Sequence, residues 1–526
     1  MDILASNAFP LTQTQRDIYF DQLHYASSPK YNVGGYIELP DLDEKRIAHA
    51  HRQLVMQYDA FGIRIVESGD GVEQYICGSR ELELPVIDFS QHDEPASASD
   101  AWLTELFETP LAFNDCALFR AYLIKVSESN YRYVGFAHHL AMDGWGFSNW
   151  ASELLRFYQQ DNNESLKGCQ WREVVNRDKK YLSSEKYQKD KLFWQTYLHD
   201  LPDKLLKPRY YGQQSGAQAS SSRRFVLPVS DKLHTNLAQL ATNCGVTPAQ
   251  LYLAVFAFYF ARAHESDEVV MGLPSHNRRK FDEKHTIGVF TTVSPLRMNV
   301  DMASSFKALC QSVAKQQKQT FRHVQFPYGD ITNAFGAAAG DDLYQIAFNY
   351  LRLNEQMQLD GSDVDLVYLS HNHETTPIMI TCWEYGEQNC LEVQLDVNQA
   401  YFSHHDMSLL TARINNLLIQ LATMYERNLS ELSMMTADEV AAVKRFSNGA
   451  DTPIPNASLT SLFEQQVRIN HAKTALVTEK IEMTYAELGR SVDRIAMVLL
   501  AKNVVVGDRV GVHLARTENM IIAILA

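Results

Sequence analysis

The run His138-His139-Leu140-Ala141-Met142-Asp143-Gly144-Trp145 places two imidazoles, a carboxylate and a glycine within eight positions. It lies where a strand pattern gives way to a turn and then a helix. Adjacent side chains on a strand point to opposite faces. Only one of the two histidines can therefore face a given cavity, and the other packs behind it. A neutral imidazole is suited to accepting a proton near pH 7. Asp143, turned inward, can neutralise a nearby cation and fix the loop. Gly144 permits close backbone approach and can present its N–H toward a developing oxyanion. A single strand histidine is most often structural, and a chain with 18 histidines contains chance pairs. The whole pattern, HHxxxDG between a strand and a helix, is far less accidental.

The flanking residues predict the elements that hold this run. Residues 30–40 (KYNVGGYIELP) and 131–139 (YRYVGFAHH) read as strands. Phe147, Trp150, Leu154 and Phe157 recur at helical spacing over residues 147–158. Residues 237–262 predict one further helix. Mixed periodicities place the chain in the α/β or α+β class. Residues 203–223, with Gly212-Gln213-Gln214-Ser215-Gly216 and Ser220-Ser221-Ser222, predict a loop. Residues 447–455 (SNGADTPIP) have the composition of a domain linker, with an amphipathic helix beginning near Leu459. The sequence stops within the apolar run MIIAILA, so residues 456–526 are expected to be the opening of a second, interrupted domain.

A chain of 526 residues exceeds what one core usually serves, which predicts two or three domains. Lys and Arg total 48 against 63 Asp and Glu, a formal charge of −15 that argues against a nucleic-acid partner. The N-terminus lacks the pattern of a secretory signal. No window approaches the ~20 apolar residues of a membrane span. The seven cysteines are dispersed, with no C-x-x-C pair, as in reduced thiols of a cytosolic protein. The expectations are a cytoplasmic protein with no membrane partner, no metal and no cofactor of its own.

The HHxxxDG run resembles the signature of nonribosomal peptide synthetase condensation domains, of the chloramphenicol-acetyltransferase-like superfamily. Other segments follow in the family's order. Leu11-Thr12-Gln13-Thr14-Gln15 with Ile18-Tyr19-Phe20 is similar to its opening helix, with Tyr19 where tryptophan is commoner. Leu118-Phe119-Arg120, Phe193-Trp194 through Leu201-Pro202, and Gly272-Leu273-Pro274 with Arg278 resemble later motifs. Ile287-Gly288-Val289-Phe290 through Pro295-Leu296-Arg297 resembles IGxFxNTxPLR, with Thr292 replacing asparagine and Val293 after it. Gln325-Phe326-Pro327-Tyr328 and Phe348-Asn349-Tyr350 match two short motifs. A commonly conserved RHExLR is here Gln57 to Arg64, QYDAFGIR. The likeness spans about residues 9–445. Beyond it, Met483-Thr484-Tyr485-Ala486-Glu487-Leu488 resembles the motif that opens adenylation domains. Leu462 to Gln466 and Val506 to Val510 fit the same first subdomain. Everything that binds ATP in such a domain would lie beyond residue 526, and there is no carrier attachment motif.

The resemblance implies an α/β (α+β) fold of two acetyltransferase-like lobes in a V, residues 1–175 and 176–445. A linker at 446–458 and an adenylation fragment at 459–526 follow. Catalysis would occur at the lobe seam, joining a donor acyl thioester to the amine of an acceptor aminoacyl thioester. Both would be carried on 4'-phosphopantetheine of partner carrier domains. The resemblance makes His139 the group that contacts the amine, as general base or as positioning acceptor, with His138 facing away. Asp143 is expected to pair with Arg278, or with Arg279 by a one-residue slip. Gly144 is an oxyanion donor or a turn residue, Trp145 a tunnel wall or a core anchor, and Asn349 a seam residue or a buried amide. With the opening motif so near residue 1, the donor is expected in trans and the acceptor carrier downstream. The rivals are an epimerisation domain, a coenzyme A-dependent acyltransferase and a non-catalytic carrier-binding platform.

Overall fold

The structure is a computed structural model that describes residues 7–69, 71–78, 80, 83–159, 168–209, 221–335, 342–353, 357–359, 362–385, 390–449 and 452–526. Most of the expected loop at 203–223 and the middle of the expected linker lie outside the described residues. The chain divides into two compact units, Met1–Val440 and Ala441–Ala526.

Four strands near the start of the first unit, β1 (Asn32–Pro40), β2 (Val86–Asp88), β3 (Phe119–Lys125) and β4 (Asn130–His138), belong to one sheet. Seven more follow: β5 (Ser222–Leu227), β6 (Glu268–Ser275), β7 (Thr292–Asn299), β8 (Ile346–Leu353), β9 (Leu366–Tyr368), β10 (Ile378–Tyr385) and β11 (Cys390–Asn398). The first sheet has the order β9-β1-β4-β3-β2, so a short strand from late in the chain crosses back to its edge. The second has the order β7-β6-β8-β10-β11-β5, with β8 parallel to both neighbours. Both sheets are mixed, and the fold is α+β.

The first sheet is covered on both faces, which explains why β4 reads as a nearly unbroken apolar run. On one face Ile37, Leu39 and Tyr133 pack against helix α1 (Glu44–Gln57) and helix α2 (Gly144–Gln159) through Ile47, Leu54, Phe147, Trp150 and Leu154. On the other, Tyr36, Ile124 and Val134 meet Leu103. On the second sheet one face is apolar and buried. Ile346, Phe348, Ile378, Ile380, Val393 and Leu395 enter a core shared with four helices, α3 (Asp231–Cys244), α4 (Pro248–Ala263), α5 (Phe306–Thr320) and α6 (His404–Met424).

The single helix expected over 237–262 is two. Gly245 adopts φ +72° and closes α3, and Thr247 then caps α4 in a reciprocal capping box with Gln250, with Pro248 in the first turn. The two helices meet at 94°. Among the described residues no single helix is long and apolar enough to cross a membrane. The predicted loop also ends early, because Ser222 and Arg223 already pair with Asn398 and Val397 in β5.

The second unit stands on its own small core of Leu488, Val492 and Ile522. Thr484 and Glu487 form the capping box that starts its helix Tyr485–Ala501, so the MTYAEL segment is a strand end turning into a helix.

Candidate active site

Strand β4 ends at His138, and each histidine is held differently. His138 is buried, its Nδ1 accepts the Leu140 N–H at 3.1 Å, and its Nε2 faces Gln22 Oε1 at 3.3 Å. An accepting Nδ1 leaves the proton on Nε2. Burial lowers its pKa to about 3, so the ring is neutral. His139 leaves the strand: its backbone N–H donates to the Tyr31 carbonyl at 2.8 Å, and its ring is half-buried. Its Nδ1 is buried without a partner among the described residues. Burial lowers its pKa, opposed by the Asp143 charge. His139 is thus a neutral imidazole at neutral pH, with little of its hydrogen-bonding capacity used by the protein.

Asp143 is fully buried and saturated. Its Oδ1 accepts from Gly146 N–H at 2.8 Å and Arg278 Nη2 at 2.9 Å. Its Oδ2 accepts from Arg278 Nη1 at 2.8 Å, Phe290 N–H at 2.9 Å, Thr291 N–H at 3.0 Å and the Thr291 hydroxyl at 2.9 Å. Burial alone would raise its pKa, but Arg278 and these N–H groups hold it at about 2. The bidentate ion pair joins the start of α2 to the segment after β6. Arg278 is equally satisfied, donating to the carbonyls of Glu283 at 3.1 Å and Gly288 at 3.0 Å and lying 4.4 Å from the Phe290 ring centre. The neighbouring Arg279 bonds Gln325 instead, at 2.5 Å.

Backbones approach closely at this junction. A Cβ at Gly146 would lie 2.8 Å from the Gly288 carbonyl oxygen, and one at Gly288 would lie 2.5 Å from the Trp171 ring. Gly144, by contrast, is exposed, and a Cβ there would meet nothing within 4 Å. It is the first residue of α2, where backbone N–H groups have no partner within the helix. Trp145 is not a core anchor: it is 41% exposed, donates from Nε1 to the Lys284 carbonyl at 2.8 Å, and its ring lies 4.9 Å from that of His276. Asn349 lies on β8 between the core residues Phe348 and Tyr350, so it occupies the opposite sheet face from the helices. It is half-buried and carries no side-chain hydrogen bond among the described residues, which sets aside the buried structural amide.

The condensation-domain family matches residues 5–443, and the AMP-binding enzyme family matches residues 463–526. The chain belongs to the condensation-domain family. Among curated relatives, surfactin synthase subunit 1 and the dimodular nonribosomal peptide synthase of Bacillus subtilis are 23% and 24% identical over 98% of this chain. Enterobactin synthase component F of Escherichia coli is 23% identical over 99%. The chain spans 15%, 22% and 40% of their respective lengths. Among solved structures, a variant of the starter condensation domain of rhizomide synthetase in complex with C8-CoA superimposes with a TM-score of 0.73. It is 21% identical and is covered over 98% of its length by 82% of this chain. The first condensation domain of the calcium-dependent antibiotic synthetase gives 0.71 at 20% identity, over 82% of this chain and 99% of that one. Condensation domains of nonribosomal peptide synthetases are acyltransferases that form amide bonds and act with carrier protein domains.

In this condensation domain the structure adds residues that the motif did not signal. Gln15 is fully buried, and its side-chain amide donates to the Leu140 carbonyl at 3.0 Å and to Gln74 at 2.9 Å. Gln22, two turns further along the helix Gln13–His24, supports His138. Their seven-residue spacing puts both on the helix face that buries Ile18 and Tyr19, and that spacing is the signal that could have found them. Tyr31 brackets the histidines, with its ring 6.0 Å from His138 and 6.2 Å from His139, and donates its hydroxyl to Asp21 at 2.7 Å. Ser148 and Tyr368 share a hydrogen bond at 2.7 Å that ties α2 to the crossing strand β9.

Proposed function

We propose that this chain joins a donor acyl thioester to the amine of an acceptor aminoacyl thioester, with His139 contacting the attacking nitrogen. The observation that carries this is the contrast within the motif. Asp143 has every lone pair engaged, whereas His139 is neutral, half-buried and largely unused by the protein. A neutral imidazole held by its backbone can accept the amine proton or orient the lone pair. The C–N bond forms as the C–S bond breaks, and the amine proton passes through His139 to the departing thiolate. Thioester aminolysis is chemically easy, so alignment of the two reactants supplies much of the acceleration.

The other residues have distinct tasks. His138 braces the strand end. Asp143 and Arg278 are positioning residues that clamp the turn bearing His139. The open space above Gly144 lets a substrate approach its N–H, which would stabilise the oxyanion. Trp145 fixes the entrance to that turn, and Asn349 offers an amide from the second sheet. The chain needs no cofactor of its own, because its substrates arrive on 4'-phosphopantetheine. The donor comes on a carrier in trans, the acceptor carrier lies downstream of the full adenylation domain, and the site of action is the cytoplasm.

Intact-protein mass spectrometry tests this. A panel of donor-loaded and aminoacyl-loaded carriers is mixed with the wild-type chain or with His139→Ala. The expected result is a mass gain on the acceptor carrier, strongly slowed by the substitution. Transfer only from free coenzyme A thioesters would identify a soluble acyltransferase. Deuterium exchange at a carrier-bound α-carbon without mass gain would identify an epimerase. Carrier binding with no chemistry would leave a platform.

A further inference from the structure

The imidazole of His139 needs an orientation as well as a free nitrogen. Catalytic imidazoles are commonly aimed by a hydrogen bond at the ring nitrogen that does no chemistry. Nδ1 of His139 has no such partner among the described residues. His138, by contrast, is engaged at both ring nitrogens, by Leu140 and by Gln22. What lies against the His139 ring is the ring of Tyr31.

Register and ring geometry both place it there. β1 and β4 pair Asn32 with His138. One position further out, the His139 N–H donates to the Tyr31 carbonyl at 2.8 Å, so the ladder continues and sets Tyr31 opposite His139. Residues directly opposite in an antiparallel pair carry their side chains on the same side of the ladder. The two rings lie 6.2 Å apart with 85° between their planes, an edge-to-face contact. The Tyr31 ring is also 6.0 Å from that of His138, but that imidazole is already fixed by its own hydrogen bonds.

The far end of Tyr31 is held as well. Its hydroxyl donates to Asp21 Oδ2 at 2.7 Å, and the same oxygen accepts from Lys30 Nζ at 2.6 Å. Lys30 Nζ sits 5.1 Å from the Tyr31 ring centre and 4.5 Å from that of Tyr25. Asp21 comes from the helix Gln13–His24, the same one that sends Gln15 to the Leu140 carbonyl and Gln22 to His138. Tyr31 is thus pinned at its backbone by the ladder and at its hydroxyl by a charge-assisted hydrogen bond. A ring held at both ends is a fixed wall, and an imidazole packed against it cannot swing without losing the contact.

We propose that Tyr31 is a positioning residue for His139, tethered by Asp21 so that its ring aims the imidazole at the acceptor amine. Tyr31 touches no reacting atom and moves no proton. It limits the orientations open to His139, which lowers the cost of bringing imidazole and amine into line. This inference rests on the role proposed above for His139.

The test measures kcat and KM for Tyr31→Leu, Tyr31→Phe, Asp21→Ala and the double variant Tyr31→Phe/Asp21→Ala, using the donor and acceptor carriers of highest turnover in the panel. Tyr31→Leu removes the wall, and kcat is expected to fall about 10- to 50-fold while KM for either carrier changes by less than about threefold. Tyr31→Phe keeps the wall and loses only the tether, so its kcat should recover to about two- to fivefold below wild type. Asp21→Ala cuts the same tether from the other end and should match it. The double variant is then no slower than either single one, because there is one tether to lose. Thermal melting of each variant identifies misfolding.

Tyr31→Leu within about twofold of wild type, Tyr31→Phe as slow as Tyr31→Leu, or losses that multiply in the double variant overturn the proposal. If Tyr31→Leu misfolds, the tether variants decide, and wild-type rates for both overturn it. A slowed His139→Ala beside an unaffected Tyr31→Leu overturns this inference alone. An unaffected His139→Ala, or a wild-type chain that never condenses, overturns both.

Discussion

Asp143 and His139 lie on one short turn, and the protein completes one while leaving the other incomplete. Around Asp143, two N–H-rich segments, a hydroxyl and a guanidinium converge on one carboxylate with no solvent contact. Around His139, a backbone hydrogen bond to Tyr31 holds the residue in place while its Nδ1 has no partner among the described residues. The first arrangement resists any change in geometry. The second leaves capacity for a visitor. On the function proposed above, structure and chemistry are separated within one short turn, and saturation of hydrogen bonds is the sign that tells them apart.

The largest effect belongs to the saturated side. Arg278→Ala strands a buried carboxylate, which costs about 3–5 kcal/mol of stability, read from urea unfolding midpoints. A loss under 1 kcal/mol would show that water readily replaces the guanidinium. On the unsaturated side, His139→Ala should lower kcat by at least about 10²-fold, roughly 3 kcal/mol in the barrier, with little change in melting temperature. An equal loss of stability would erase the distinction between the two regions.

A subtler difference concerns acid. His138 and His371 titrate near 3 in the folded chain against an ordinary 6.5. The unfolded chain therefore binds more protons than the folded one between those values, and stability falls as the pH drops through that window. Overlapping its lower end, Asp143 adds a further loss as the pH falls from its ordinary 3.8 toward 2. In His371→Gln the stability-against-pH slope should flatten by about one proton across the upper window, as followed by unfolding free energies over a pH series. The smallest expected effect is that of Trp145→Phe. It removes one hydrogen bond at a substantially exposed position, for about 0.5–1.5 kcal/mol, and should leave kcat nearly unchanged.

Much of this was legible beforehand because local pattern and chemistry coincide. The strand ending in His138, the turn at Asp143 and the helix after it follow from a few adjacent residues. Arg278 was reachable only through the order of motifs, since 135 positions separate it from Asp143. Other features stayed hidden for physical reasons. The apolar residues of 237–262 run continuously across Gly245 and Thr247, so periodicity masked a break that the glycine and the Thr-Pro pair announce. The burial of Gln15 and Gln22 could not be read locally, because burial of an amide depends on partners supplied by other segments.

The crossing strand β9 has a mechanical consequence. It is three residues long and forms the edge of its sheet, yet its continuation through residues 370–377 leads directly into the other sheet. Short edge strands are the parts of a sheet most easily peeled away. Widening the gap between the sheets would therefore unzip Leu369 from Gly34 first and Tyr368 from Gly35 next. Amide exchange at these residues becomes a clock for opening: it should slow when both carriers are seated and quicken when the Ser148–Tyr368 tether is cut.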